Sequence, residues 1–198
     1  MELKETIAGL LKAHNGTITA KDARLAGINN KELQRLTDAG LLERVTRGLY
    51  LSAKDLPDEY MVALYKCGKG IYSHETALFF HNLSDRTPIR LMMTIPSGYN
   101  TTLLKDKASY RFFYCKPDIH AIGISTTLSP YGNELRVYDK ERTLCDCIKR
   151  KNHLDSDLVL AAVKQYMREK GGDFAKLLSY AEILKIRDTV KQYIEVLV

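Results

Sequence analysis

Glycines at positions 16, 27, 40 and 48 divide the first fifty residues into pieces too short for anything but a few small helices and a hairpin. Residues 3–13 place Leu3, Ile7, Leu10 and Leu11 at helical spacing, and His14-Asn15-Gly16 supplies a stop in which Asn or Gly adopts the left-handed conformation. Thr19 reads as the N-cap of a second short helix with Ala20, Ala23 and Leu25 on its inner face and Gly27 closing it. Asn29 or Asn30 caps a third helix running to about Ala39, before Gly40. The segment Leu42–Leu51 then has the β-branched and aromatic content of two short strands around a turn at Gly48. This order predicts a winged helix-turn-helix over residues 1–56.

Such a unit presents its third helix to the major groove, so that helix must be apolar inside and hydrogen-bonding outside. At 100° per residue, Lys31, Gln34, Arg35 and Asp38 fall within about 100° of one another, opposite Leu33 and Leu36. Arg and Lys suit guanine, and Gln and Asn suit adenine, so Asn29, Asn30, Lys31, Gln34 and Arg35 are the candidate base-facing residues. Arg44, Thr46 and Arg47 on the hairpin would meet phosphates or the minor groove, and Thr19 and Lys21 the sugar-phosphate backbone. A Lys/Gln/Arg face alone is usually a solvated surface; its combination with a basic hairpin is what points to DNA.

The remainder, residues 57–198, reads as a second module of mixed α/β character ending in a run of helices, which makes the whole chain α+β. Pro57 is expected in the first turn of a helix reaching Lys66, followed by a strand at 70–72 and a helix capped by Ser73. Strands fit 90–95, 110–115, 121–126 and 135–138, and helices 139–151, 155–169, 173–184 and 187–197. The net charge is +6, and residues 85–116 carry six basic residues against Asp85 and Asp106. Arg86, Arg90, Lys105, Lys107 and Arg111 are therefore the candidate functional surface of this module, facing DNA, RNA or an acidic protein. No apolar run approaches the roughly 20 residues of a membrane span, and the acidic start is unlike a leader, so a cytoplasmic protein is expected. Nothing marks an obligate oligomer, and the free chain is expected to be monomeric.

Several motifs invite chemistry and fail on spacing. Cys67, Cys115, Cys145 and Cys147 lack the density of a disulfide framework, and Cys145 and Cys147 point about 200° apart on a helix, so buried thiols are expected and no metal. Adjacent Ser73-His74-Glu75 cannot converge on one atom, and His74 and His81 lack a third ligand. Asp139, Glu141 and Asp146 resemble nuclease carboxylates, but a capping Asp with an acidic first turn is ordinary at a helix start. Gly68-Lys69-Gly70 and Ser97-Gly98 are too short for phosphate loops. No catalytic residue and no cofactor is expected.

The segments Leu36–Leu42 and Arg44–Tyr50, then Tyr72–Leu78, Met93–Pro96 and Val137–Asp146, give the chain an ordered set of motifs that resembles the AbiE-type abortive-infection antitoxins, the AbiEi family of type IV toxin-antitoxin systems. The resemblance implies a phage-defence role in two parts. The winged helix represses its own operon by binding inverted repeats at the promoter. The carboxy-terminal domain counteracts a nucleotidyltransferase-like toxin without needing a stable complex. Two further readings remain open at this stage: a ligand-responsive transcription factor without a toxin partner, and a DNA-targeted nuclease.

Overall fold

The structure, a computed structural model, describes residues 2–169 and 171–195. It is a mixed α+β chain with two sheets that divides into two compact units: residues up to Tyr65 with Leu128–Glu134, and Lys66–Thr127 with residues from Leu135 onward. These units are drawn differently from the two modules expected at 1–56 and 57–198. The physical reason is Asp58, whose buried carboxylate accepts hydrogen bonds from Ser129 Oγ and Asn133 Nδ2, tying the 128–134 turn to the first unit.

In the first unit α1 (Glu2–Ala13) stops where Asn15 and Gly16 both take positive φ. β1 (Thr17–Thr19) follows, then α2 (Ala20–Leu25), α3 (Asn30–Asp38), β2 (Leu42–Thr46), β3 (Leu49–Ser52) and α4 (Glu59–Lys66). The strands form an antiparallel sheet in the order β1-β3-β2. Val45 is an extra residue, because Arg44 pairs with Tyr50 and Thr46 with Leu49. Both inner helices start with reciprocal capping: Thr19 with Asp22, and Asn29 with Glu32. Ile7, Ile18, Ala23, Ile28, Leu33, Leu36, Leu42 and Tyr50 form the core.

Three local expectations need correction in this unit. β1 was unforeseen, since three residues become a strand only by pairing with Leu49–Leu51. Leu25 is 79% exposed instead of facing inward, because α2 ends after barely two turns and Ala23, with Ala20 packed beside it, fills the inner side. Pro57 precedes α4 by two residues, and Asp58 occupies the cap, accepting from the Tyr60 and Met61 amides.

The second unit is built on a five-stranded sheet ordered β6-β5-β4-β8-β7, from β4 (Ile71–Tyr72), β5 (Leu91–Pro96), β6 (Tyr110–Cys115), β7 (Ile124–Leu128) and β8 (Glu134–Tyr138). β5 runs antiparallel to β4 and parallel to β6. The helices are α5 (His74–Phe80), α6 (Pro117–His120), α7 (Lys140–Lys149), α8 (Ser156–Arg168), α9 (Phe174–Ile183) and α10 (Arg187–Glu195). Residues 196 and 197, expected at the end of the last helix, lie outside the described residues. Single helical turns also cover Thr102–Lys105 and Lys151–His153. Leu78, Met92, Leu144, Cys145, Val159, Tyr166 and Leu177 are part of its core.

β7 begins three residues later than expected because Pro117 starts α6, a helix the strand pattern concealed. Ser73 sits at the cap position of α5, yet its hydroxyl makes no cap bond; it accepts from Thr94 Oγ1 and meets His74 Nδ1. At the start of α7, Asp139 Oδ1 accepts from the Arg142 amide. The Arg142 side chain is buried, held by Asp146 at 3.1 Å and by the Ile119 and Ile122 carbonyls at 2.8 Å, with its guanidinium 4.2 Å from the centroid of the Tyr138 ring. Gly123 has positive φ, and a Cβ there would lie 2.8 Å from Arg142 Cβ, so a side chain at this point would displace the arginine.

Candidate nucleic-acid interface

Helix α3 buries Leu33 and Leu36, which turns Asn30, Lys31, Gln34, Arg35 and Asp38 to solvent. Gln34 Nε2 donates to Asp38 Oδ1 one turn later, at 2.8 Å, so that carboxamide is steered along the helix. Lys31 and Arg35 form no ion pair among the described residues and leave a cationic ridge open. Asn29 is exposed, but its Oδ1 accepts from the Lys31 and Glu32 amides. Thr19 donates its hydroxyl to Asp22 and accepts from the Asp22 amide. Both side chains thus have a local helix-starting task, which reduces what they can offer a partner.

The hairpin is pinned at its turn. Gly48 has φ of +77°, and its carbonyl accepts from the Ala20 amide at 2.8 Å and from Tyr65 Oη at 2.9 Å. The positive φ favours glycine here, and a Cβ, 2.7 Å from that Tyr65 oxygen, would push the hydroxyl off the carbonyl. The Ala20–Gly48 bond puts Arg47, in the turn, beside the first turn of α2, where Lys21 is exposed. Arg44 is exposed too, its Nε 3.4 Å from the Thr46 carbonyl, while Thr46 is half-buried.

In the second unit the five basic candidates separate into two groups. Half-buried Glu75 has its carboxyl raised by burial, partly offset by the positive charge of Arg111, with Asp155 acting to raise it and Arg90 and Arg86 to lower it, so these three arginines share one electrostatic environment. Arg86 pairs with Asp155 at 2.6 Å, and Arg111 donates to the His153 carbonyl with its guanidinium 5.2 Å from the Phe113 ring centroid. Lys105 and Lys107 are exposed around the turn that precedes β6, and nothing described ties them to the arginine group. Arg150, at the end of α7, lines a hollow with Arg111 and His153. It was missed because 39 residues of sequence separate it from Arg111.

The motifs set aside on spacing have structural tasks. Asp139 bonds Tyr180 and Lys176; Glu141 accepts from Tyr166 Oη and pairs with Lys176; Asp146 is held by Arg142. Burial works to raise the Glu141 carboxyl, but the Tyr166 bond, its own amide and Lys176 bring it below the ordinary carboxylate value. Cys145 and Cys147 are both buried, and burial pushes the Cys145 thiol up to about 12. His74 is buried, stacked 3.5 Å from Phe113, and burial holds it well below the ordinary histidine value. Among the described residues no three His, Cys, Asp or Glu side chains gather to hold a metal, and no helix is long and apolar enough to cross a membrane.

Comparison with known proteins adds three findings. Residues 5–53 match the family described as "Transcriptional regulator, AbiEi antitoxin". The later segments of the resemblance, from Tyr72 onward, lie outside that match. The crystal structure of the RV2827C protein from Mycobacterium tuberculosis is similar with a TM-score of 0.56 at 12% identity, over 96% of this chain and 77% of that one, which shows a shared fold alone. No curated protein matches the chain. In its amino-terminal fifty residues, where the motifs at Leu36–Leu42 and Arg44–Tyr50 lie, the chain is thus similar to the AbiEi antitoxin transcriptional regulators.

Proposed function

We propose that residues 1–56 act as a winged helix-turn-helix that represses the chain's own operon, and that residues 57–198 counteract a nucleotidyltransferase-like toxin encoded with it. The observation that carries the first part is the open Lys31–Arg35 ridge on a helix fixed from inside by Leu33 and Leu36, in a segment matched to an antitoxin regulator. In this reading Asn30, Lys31, Gln34 and Arg35 face base edges, and Lys21, Arg44, Thr46 and Arg47 face phosphates. Thr19 and Asn29 contribute by holding the helix starts that aim those side chains. For the second part the reading uses Arg86, Arg90 and Arg111 as one group and Lys105 and Lys107 as another.

The test is binding to the chain's own promoter fragment. Arg35→Ala is expected to weaken specific binding by about 1–3 kcal/mol while leaving random DNA little changed. Arg47→Ala is expected to weaken both and to flatten the salt dependence by about one unit of slope. Equal losses on promoter and random DNA for Arg35→Ala would remove it from base reading. Replacing the five basic residues of the second unit with Ala should abolish protection from the co-encoded toxin; full protection would refute that assignment.

A further inference from the structure

Two glycine-bearing segments that fail as phosphate loops in sequence, Gly68-Lys69-Gly70 and Ser97-Gly98, meet in the second unit. They border a cavity of about 580 Å³, within the range of roughly 300–1,000 Å³ usual for small-molecule sites. Lys69 and Arg136 line it, both exposed and neither in an ion pair among the described residues. Among the described residues no carboxylate lines it. Positive charge without a counter-charge in a concave, low-dielectric wall concentrates anions more strongly than the same charge on a flat face.

Two other features indicate what the anion would carry. His120 also lines the cavity, and its Nε2 is shielded from bulk water. The Thr94 and Lys69 backbones lie close enough to favour the ring's charged form, yet neither meets Nε2 at hydrogen-bond geometry, and that atom has no partner among the described residues. Native structures seldom leave such a group unmet; a molecule in the cavity meets other atoms of this ring, while Nε2 itself stays closed off. Gly98 has φ of +84° with open space where a side chain would be, so the loop after β5 shows bare backbone. Lys69 Nζ lies 5.7 Å from the Tyr99 ring centroid, which holds the ammonium at the rim. Pro96, Pro117 and Ile124 supply apolar lining, and Ile124 is 47% exposed, a surface an organic group would cover.

We propose that this cavity binds a small phosphorylated metabolite of about nucleotide size, its phosphate held by Lys69 and Arg136 and its organic part set against Pro96, Pro117 and Ile124. A nucleic-acid strand fits less well, because strand binding uses a charged track with stacking platforms, whereas the cations here converge on one hollow. The inference is independent of whether residues 1–56 bind an operator.

Calorimetric titration of the full chain with ATP, ribose 5-phosphate, inorganic phosphate, adenosine and a short thymidine oligonucleotide tests it. ATP or ribose 5-phosphate should saturate one site at micromolar to millimolar concentration. The Lys69→Gln/Arg136→Gln variant should bind at least about tenfold more weakly with an unchanged melting temperature. Should that variant unfold, Lys69→Glu alone provides the same readout from an exposed side chain. The proposal is overturned if no phosphate ester saturates, if adenosine binds as tightly as ATP, or if inorganic phosphate does. It is equally overturned if the oligonucleotide alone binds, or if folded charge variants bind like the parent.

Discussion

The two compact units handle charge in opposite ways. In the first, apart from the buried Asp58–Ser129–Asn133 group, the charged and polar groups named above mostly start helices, as Thr19, Asp22, Asn29 and Glu32 do, or stand exposed, as Lys21, Lys31 and Arg35 do. In the second, several are structural members: buried Arg142 and Asp146, Glu141 beneath Lys176, and His74 against Phe113. Counting charges along a sequence therefore locates a binding face in the first unit more reliably than in the second. Even the basic stretch 85–116 is partly engaged, through Arg86 with Asp155 and Arg111 with the His153 carbonyl.

Substituting the buried arginine tests this contrast most severely. Arg142→Ala leaves Asp146 buried without its partner and frees two carbonyls, and should cost about 3–5 kcal/mol in urea denaturation, with the loss seated in the second unit. Pairing it with Asp146→Leu should recover part of that loss, since the stranded charge is removed too. A cost below about 1 kcal/mol for the single change would mean that this arginine is not structural.

Acidification should separate the units next. Burial lowers His74, His81 and His120, all in the second unit, below the ordinary value of 6.5. As pH falls through 6.5 the unfolded chain takes up protons that the folded one refuses, so stability is full above that value and declines below it. Glu75 and Asp146, raised by burial, oppose this closer to the carboxylate range. Hydrogen exchange at about pH 7.5 and about pH 5.5, corrected for intrinsic rates, should show protection lost chiefly in the second unit. Equal loss in both units would erase the distinction.

The smallest effect belongs to the first unit. Asn29→Ala removes the acceptor for the Lys31 and Glu32 amides and should cost about 1 kcal/mol, read as faster exchange in the first turn of α3 with the second unit unaffected. Protection unchanged there would show that packing of Leu33 and Leu36 alone sets the helix start.

What could be read from sequence follows the range of the interactions. α1 to α3 and the hairpin were legible because their boundaries come from residues within four positions, such as the Thr19–Asp22 cap and the turn at Gly48. β1 was not, since Thr17–Thr19, though β-branched throughout, is too short to stand as a strand until Leu49–Leu51 lies beside it. α6 was hidden although Pro117 marked its start, because its four residues fall in the gap between the strands expected at 110–115 and 121–126 and are too few to show a helical period. Of the candidate interface, the apolar and polar faces of α3 were legible from periodicity, while the anchoring of the hairpin turn by Ala20 and Tyr65 was not.

By itself, then, the sequence determined the local units: which residues cap, which turn, and which face of each short helix is apolar, because these depend on neighbours along the chain. Only the tertiary structure decided which charges remain available. It buried Arg142 against carbonyls some twenty residues away, set Glu75 in the field of Arg111, Arg90 and Arg86, and brought Lys69, His120 and Arg136 to one cavity. The physical reason is that a charged side chain's free energy depends on its desolvation and its partners, and both are set by segments distant in sequence.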